Sequence, residues 1–521
     1  MGSTLKPPAG EAMVEGRTRM VTLTIAFHPD GRRTGELVQL SAAGEAGSFA
    51  VSRLEPLFAT PGGAAPAPLA DPFVSRQPFR IDGGDDGVTI VPLAGGPEVS
   101  VDDVPLRQPL RVPWPLLERG LLLLVARRIV LRLHLREPSQ APADAMGLIG
   151  GSAALDKVRQ DIRRAAALDV PVLIRGETGT GKELVARALH AHSTRARAAC
   201  VTVNMATVSP TTAVSELFGH VRGAFTGASR DHEGHLVRAH RGILFLDEIG
   251  ELPASVQAML LRVLETGEVQ PLGATSAERV DVRIVAATDA DLEAEIAAGR
   301  FREPLLHRLA GYVIGTPPLR ERPDDIAALT LHFLREELGA LGKLDLIEYR
   351  PAATALWFSP AVAMALLQHG WRGNVRELRN VVRQIVAESH DRPAIDLAAL
   401  RARLLGPAPP LRPGSPVSAP TTSDVAPDRA PSSIGDEELF EVLRAHRFSP
   451  AGAAAQLGIS RTTLDGLIQR STRLRKARDI GVDEIERCLA ECQGDVDETA
   501  ARLQISRRAL QLRLKELGRS R

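Results

Sequence analysis

Cysteine is scarce: Cys200, Cys488 and Cys492 are the only three in 521 residues, too few for a disulfide framework. Cys488 and Cys492 stand four apart, but no second Cys or His pair accompanies them at zinc spacing, so helix packing is the better reading. Long apolar runs are missing too. The longest, Gly120 to Ala126, is far too short to span a bilayer, and the N-terminus has no uninterrupted apolar core after its first positive charges. A cytoplasmic location without a membrane segment is expected. Net charge is only +1, so a surface for nucleic acid must be local rather than global. The remaining composition, 44% hydrophobic and 24% charged, is that of an ordinary globular chain with room for about three or four domains.

Residues 1–18 are small and polar without period and read as a loose leader. From 19 to 137 the pattern is strand-like. Val21-Thr22-Leu23-Thr24-Ile25, Val88-Thr89-Ile90-Val91 and Ile129 to His134 alternate, with Gly and Pro punctuating them at short intervals. That pattern predicts a β-sandwich. Residues 138–146 read as a linker. From 147 to 316 apolar runs at Pro171–Arg175, Cys200–Asn204, Gly242–Leu246 and Val282–Ala287 alternate with helical spacing, which predicts a parallel sheet covered by helices. Residues 317–405 keep helical spacing and form a small all-helical unit. Residues 406–433 carry eight prolines among Ala, Ser and Thr and should act as an extended tether.

The C-terminal part repeats itself. Ala454 to Arg461 aligns with Ala500 to Arg507, a period of 46. Each copy reads as a small-residue helix, a turn and a second helix, in residues 434–476 and 477–521. Residues following each turn are placed to enter a DNA major groove: Arg461, Thr462 and Thr463 in the first copy, Arg507, Arg508 and Gln511 in the second, where Arg513 belongs to a basic end suited to DNA phosphates. A helical oligomerisation module is the alternative.

Chemistry concentrates in the central part. Gly176-Glu177-Thr178-Gly179-Thr180-Gly181-Lys182-Glu183 lies between a short apolar run and a helical pattern. Such a turn closes backbone N–H groups around phosphate oxygens, with Lys182 as a point charge. Glu183 stands where a magnesium-binding Ser or Thr is usual. Gly242 to Leu246 then runs into Asp247 and Glu248, a strand ending in two acids. Asp247 there can hold Mg2+, and Glu248 can orient and deprotonate an attacking water.

With these residues in view, the stretch from about 147 to 404 resembles the AAA+ domain of sigma-54-dependent transcriptional activators. That family commonly has the loop GETGTGKE, Glu included. Its marker loop GAFTGA is intact as Gly223, Ala224, Phe225, Thr226, Gly227 and Ala228, after Ser215 to His220. The resemblance implies an ATP- and Mg2+-dependent ATPase in a ring, a hexamer, whose GAFTGA loop contacts sigma-54 RNA polymerase. It implies that Asn204 restrains Glu248, that Thr288-Asp289 is a first sensor where Thr-Asn is usual, and that Arg302 and Arg308 reach a neighbouring subunit's nucleotide. Arg376 is implied as a second sensor. Pro304 stands where Asp is usual and is expected to distort its helix. The C-terminal copies resemble Fis-type helix-turn-helix units, and double-stranded DNA is the implied partner.

The N-terminal part is similar to forkhead-associated (FHA) domains, which read phosphothreonine. Arg53 and Ser75 match two of the reading positions. Pro78 replaces the motif histidine, and Asp102-Asp103 replaces Asn-Gly, so a carboxylate near the phosphate weighs against recognition. The implied partner is a phosphoprotein or kinase; the alternative is a degenerate sandwich used for packing against the next domain. Two other readings of the whole chain stay open: a DNA-binding regulator that keeps the ATPase fold without turnover, and a phosphoprotein adaptor.

Overall fold

A computed structural model describes residues 19–60, 65–137, 144–351 and 353–405, then 481–492 with a few single positions on either side. It divides into two units at residue 407/408.

The first unit begins with two antiparallel sheets. A six-stranded sheet runs in the order Leu37–Ala42, Met20–Phe27, Ile129–Arg136, Leu121–Val125, Val99–Val101, Val104–Pro105. A four-stranded sheet runs Gly47–Val51, Phe79–Gly84, Gly87–Val91, Leu110–Pro113. Strand alternation puts Val21, Leu23, Ile25, Leu131 and Leu133 of one sheet against Phe79, Ile81, Val88 and Ile90 of the other, in one core. The expected β-sandwich is therefore present. The alternation misleads in one respect: Thr22, Thr24, Arg132, His134 and Arg136, on the opposite face, are buried as well.

What covers that face is the helical unit that follows the parallel sheet. Ala26, Phe27, Leu122 and Val130 pack against Ala363 and Met364, and the Phe27 and Phe358 rings meet edge to face at 5.5 Å. Arg132 reaches Asp324 at 2.5 Å, Arg136 donates to the Gly151 carbonyl at 2.7 Å, and Arg128 to the Ala353 carbonyl at 2.9 Å. Burial pushes His134 down to about 4, so it enters the contact neutral, bonded to the Thr24 hydroxyl at 2.9 Å.

The parallel sheet has the order Cys200–Asn204, Ile243–Asp247, Arg283–Thr288, Val172–Arg175, Tyr312–Gly315. The first four are the strands expected from the apolar runs; the fifth was not anticipated, because Tyr312 to Gly315 is short and carries an exposed Val313. Val172, Ile174, Phe245 and Val285 face the helices Ala153–Ala166 and Lys182–His192; Leu173, Leu244, Leu246 and Ala286 face the helix Ala254–Thr266 and its neighbours. The chain order reverses beside Val172–Arg175, so the crevice at the carboxyl ends of the strands opens where Gly176 begins.

Four helices, Pro323–Ala340, Pro360–Gln368, Asn374–Ser389 and Leu397–Leu405, form the lid. Trp371 lies at its centre, fully buried, with its indole N–H on the Leu366 carbonyl at 2.9 Å. In the second unit the helix Val482–Glu491 is described, with Ile485, Cys492, Leu503 and Leu510 buried and Arg502 paired to Glu491 at 2.8 Å.

Trp371→Ala should cost about 3–5 kcal/mol through the lost contacts and the cavity left behind. A lower urea midpoint for the transition that includes the lid checks this.

Candidate functional site

The phosphate loop connects the strand Val172–Arg175 to the helix Lys182–His192, with Gly181 (φ 104°) capping the helix. Two glycines are dictated by close approach. A Cβ on Gly176 would lie 1.9 Å from the Thr316 hydroxyl, and one on Gly179 (φ 80°) would lie 2.6 Å from the Gly373 carbonyl. Lys182 is buried and its ammonium donates to the Gly176 carbonyl at 2.9 Å, inside the loop. The Thr180 hydroxyl donates to the Glu177 carbonyl at 2.8 Å. Glu183 faces outward and pairs with Arg187 one helical turn on, at 2.6 Å.

The lid braces the loop from outside. Arg320 forms a fork on Glu177 at 2.8 and 2.6 Å and, with help from Asn374, holds that carboxyl below its ordinary range. Asn374 also donates to the Thr178 carbonyl and accepts from Leu319 N–H; Val375 N–H bonds the Gly179 carbonyl, and Arg322 the Thr180 carbonyl. Sequence reasoning missed Arg320, Arg322, Asn374 and Thr316. Asn374 lies two residues before Arg376, but the arginines' contacts span more than 140 residues and leave no local signal.

Asp247 and Glu248 close the other side. Burial raises the Asp247 carboxyl, against the pull of Lys182. Glu248 has left-handed backbone angles (φ 54°, ψ 53°), and burial, then the Asp289 and Asp247 charges, push it up to about 7. The Asn204 amide, expected to hold Glu248, donates here to the neighbouring Asp247 at 3.2 Å. Asn204 and Asp247 are register partners on adjacent parallel strands, whereas the left-handed turn carries Glu248 away. The Thr288 hydroxyl is fully buried and accepts from Ala290 N–H, and Asp289 accepts from the Thr178 hydroxyl. A glycine cradle with an inward lysine fits a phosphate chain, and half-buried Asp247, anchored by an amide donor, fits a divalent cation.

Gly223 to Ala228 form a tight loop, closed by Gly223 N–H on the Ala228 carbonyl at 2.8 Å. Phe225 is 47% exposed. Its ring leans edge-on against His220, centroids 4.9 Å apart, and His220 is itself bonded to the Ser215 hydroxyl at 2.7 Å.

Comparison with known proteins fits this geometry. The Sigma-54 interaction domain matches residues 148–315, the AAA+ ATPase lid domain residues 320–413, and the Fis-family bacterial regulatory domain residues 478–517. The hydrogenase transcriptional regulatory protein HoxA of Cupriavidus necator is 42% identical over 313 residues, 60% of this chain and 62% of HoxA. The regulatory protein LuxO of Vibrio cholerae is 38% identical over 354 residues, 66% of this chain and 65% of LuxO. The chain belongs to the sigma-54-dependent transcriptional activators. The matched stretch spans less than two thirds of either relative's length. A crystal structure of NtrX from Brucella abortus with ATP is 30% identical, covers 71% of this chain and 69% of that one, and has a TM-score of 0.44.

Within this chain the implied arginines stand apart. Arg302 precedes the helix Glu303–Leu309 and Arg308 lies near its end, exposed, with Glu265 at 3.5 Å. Among the described residues the Arg302 and Arg376 guanidinium groups make no hydrogen bond or ion pair, and Arg376 borders the loop at Gly179. Pro304 occupies the first turn of its helix, where its missing N–H costs nothing, so the expected distortion is absent.

The structure brings Arg53 and Ser75 together through Arg53 N–H on the Ser75 carbonyl at 3.0 Å. Both side chains are engaged internally: Arg53 with the Pro72 carbonyl, the Ser75 hydroxyl with the Gly95 carbonyl at 2.8 Å. Asp102 and Asp103 form a hairpin turn with φ 46° and 69°, the backbone that Asn-Gly favours. Arg461, Thr462, Thr463, Arg507, Arg508, Gln511 and Arg513 lie outside the described residues. Among the described residues no helix is long and apolar enough to cross a membrane.

The raised Glu248 carboxyl has a stability consequence. The folded chain keeps a proton that the unfolded chain releases near 4.5, so this contribution is full below that value and lost as pH rises to about 7. Without nucleotide, the wild-type melting temperature should fall between pH 5 and 8 by more than that of Glu248→Gln; equal slopes would count against the assignment.

Proposed function

We propose that the chain is a DNA-anchored ATPase that hydrolyses ATP within a ring, a hexamer, to remodel sigma-54 RNA polymerase and drive open-complex formation. The carrying observation is the pairing of an exposed Phe225 loop with a nucleotide cradle on the same core. One large aromatic between small residues and two glycines can plug an apolar groove of a partner while moving widely.

In this reading Gly176 to Glu183 hold ATP, with Lys182 on the outer phosphates and Thr288 and Arg376 at the rim. Asp247 holds Mg2+, which supplies charge neutralisation when bound. Glu248 orients the attacking water and takes its proton. A carboxyl poised near 7 suits a general base at neutral pH. Arg302 and Arg308, exposed on a short helix, complete the site of the neighbouring subunit. Asn204 acts on Glu248 through Asp247. The two helix-turn-helix copies hold the protein at an upstream DNA site, and the tether lets the ring reach the promoter.

The N-terminal sandwich, read as FHA-like, gates the ring. One strand, Ile129–Arg136, bridges two bodies: Arg132 binds the lid at Asp324, and Arg136 binds Gly151, ahead of the first helix of the sheet domain. A lid that turns with nucleotide must break one of these contacts, so the docked sandwich restrains it. Arg53 and Ser75 are the candidate contacts for a phosphoprotein that releases it.

Transcription in vitro with sigma-54 polymerase tests the function. Glu248→Gln should bind ATP yet lose hydrolysis by at least about a hundredfold and form no open complexes. Phe225→Ala should keep hydrolysis and lose transcription. Open complexes forming equally well without hydrolysable ATP would sink the reading.

Gating has its own test. Removing one partner of the buried Arg132–Asp324 pair would cost about 3–5 kcal/mol, so both are exchanged for apolar residues, Arg132→Met with Asp324→Leu. Basal phosphate release should rise several-fold, and an unchanged or slower rate would refute restraint by the sandwich.

A further inference from the structure

Asp289 follows the strand Arg283–Thr288, which pairs directly with the phosphate-loop strand. Its carboxylate accepts a hydrogen bond from the Thr178 hydroxyl, within the loop itself. Its charge also bears on Glu248, whose other charged neighbours are Asp247 and Lys182. Three carboxyl groups and one ammonium therefore meet at the mouth of the loop. Lys182 and the Asp247–Glu248 pair mark the end where the outermost phosphate belongs, so Asp289 stands at that end.

A carboxylate can accept hydrogen bonds but not donate them, and it repels a phosphoryl oxygen; a neutral amide of the same size would do the opposite. The effect is unequal between nucleotides. A triphosphate brings one more anionic group to this end of the loop than a diphosphate does. With its outermost position empty, the loop also keeps the Thr178–Asp289 bond.

We propose that Asp289 sets the nucleotide preference of the site, holding the loop through Thr178 and weakening ATP relative to ADP. This rests on the nucleotide reading above and adds to it a discriminating residue. A site built in this way retains its product, and its occupancy follows the ratio of ATP to ADP rather than the amount of ATP alone.

The test is calorimetric titration of the full chain with Mg2+ and either ADP or the non-hydrolysable β,γ-imido analogue of ATP. Asp289→Asn should tighten the analogue by about tenfold and move ADP by less than about twofold. Asp289→Ser, neutral but smaller, should shift the same ratio without relying on the fit of an asparagine. Equal shifts for both nucleotides, or a weaker analogue, in the two Asp289 variants would overturn the proposal while leaving the site intact. Failure of the wild type to bind either nucleotide would overturn the site and this inference together.

Discussion

A phosphate cradle must keep its own backbone free, and that constraint shapes the rest of the first unit. The N–H groups of Gly176 to Gly181 are useful only if few of them are spent on one another, and the bonds inside the loop are few: Thr180 turns to the Glu177 carbonyl and Lys182 to the Gly176 carbonyl. The other support comes from outside. Thr316 fills the space where a Cβ on Gly176 would be, Arg320 and Asn374 hold Glu177, and Val375 and Arg322 take the carbonyls of Gly179 and Thr180. Nearly all of these braces come from the lid or the segment leading into it. Loop and lid are therefore mechanically one object, and whatever moves the lid is felt at the nucleotide.

The same segment carries the outside contacts. Residues 319–325 present Arg320 and Arg322 to the loop, Asp325 to Ser152 and Gly151, and Asp324 to the sandwich. Asp325 is buried and pushed upward by burial, yet three donors and nearby Arg322 compensate it. Buried ionic contacts add little net stability over apolar ones, but they allow few alternative arrangements. A sandwich docked through Arg132, Arg136 and Arg128 has a defined register on the helical unit, which a greasy patch alone would not impose.

Much of the fold was legible because periodicity reports burial. Alternation marked three strands of the sandwich, and four apolar runs marked four strands of the parallel sheet. The fifth, Tyr312–Gly315, was not legible, being short and half exposed. The burial of Arg132, His134 and Arg136 was not legible, because a strand pattern shows which residues share a side but not what covers it. In the site, Lys182, Asp247 and Glu248 stood out by local spacing, and Phe225 only through the resemblance of its loop. The braces did not, since Glu177 and Arg320 lie far apart in the chain and an isolated arginine carries no signal of its partner.

The sequence by itself determined the chemistry: a glycine loop with its lysine, an apolar strand ending in two acids, and an aromatic between small residues are each written within ten consecutive positions. Only the tertiary structure decided the relations among them. It put Asn204 on Asp247 rather than Glu248, because adjacent parallel strands are in register and the left-handed turn at Glu248 breaks away. It set Asp289 against Thr178, accepted Pro304 in a first helical turn, and turned a charged strand face into the seat of the lid. Each of these depends on distance across the fold, which a linear pattern does not encode.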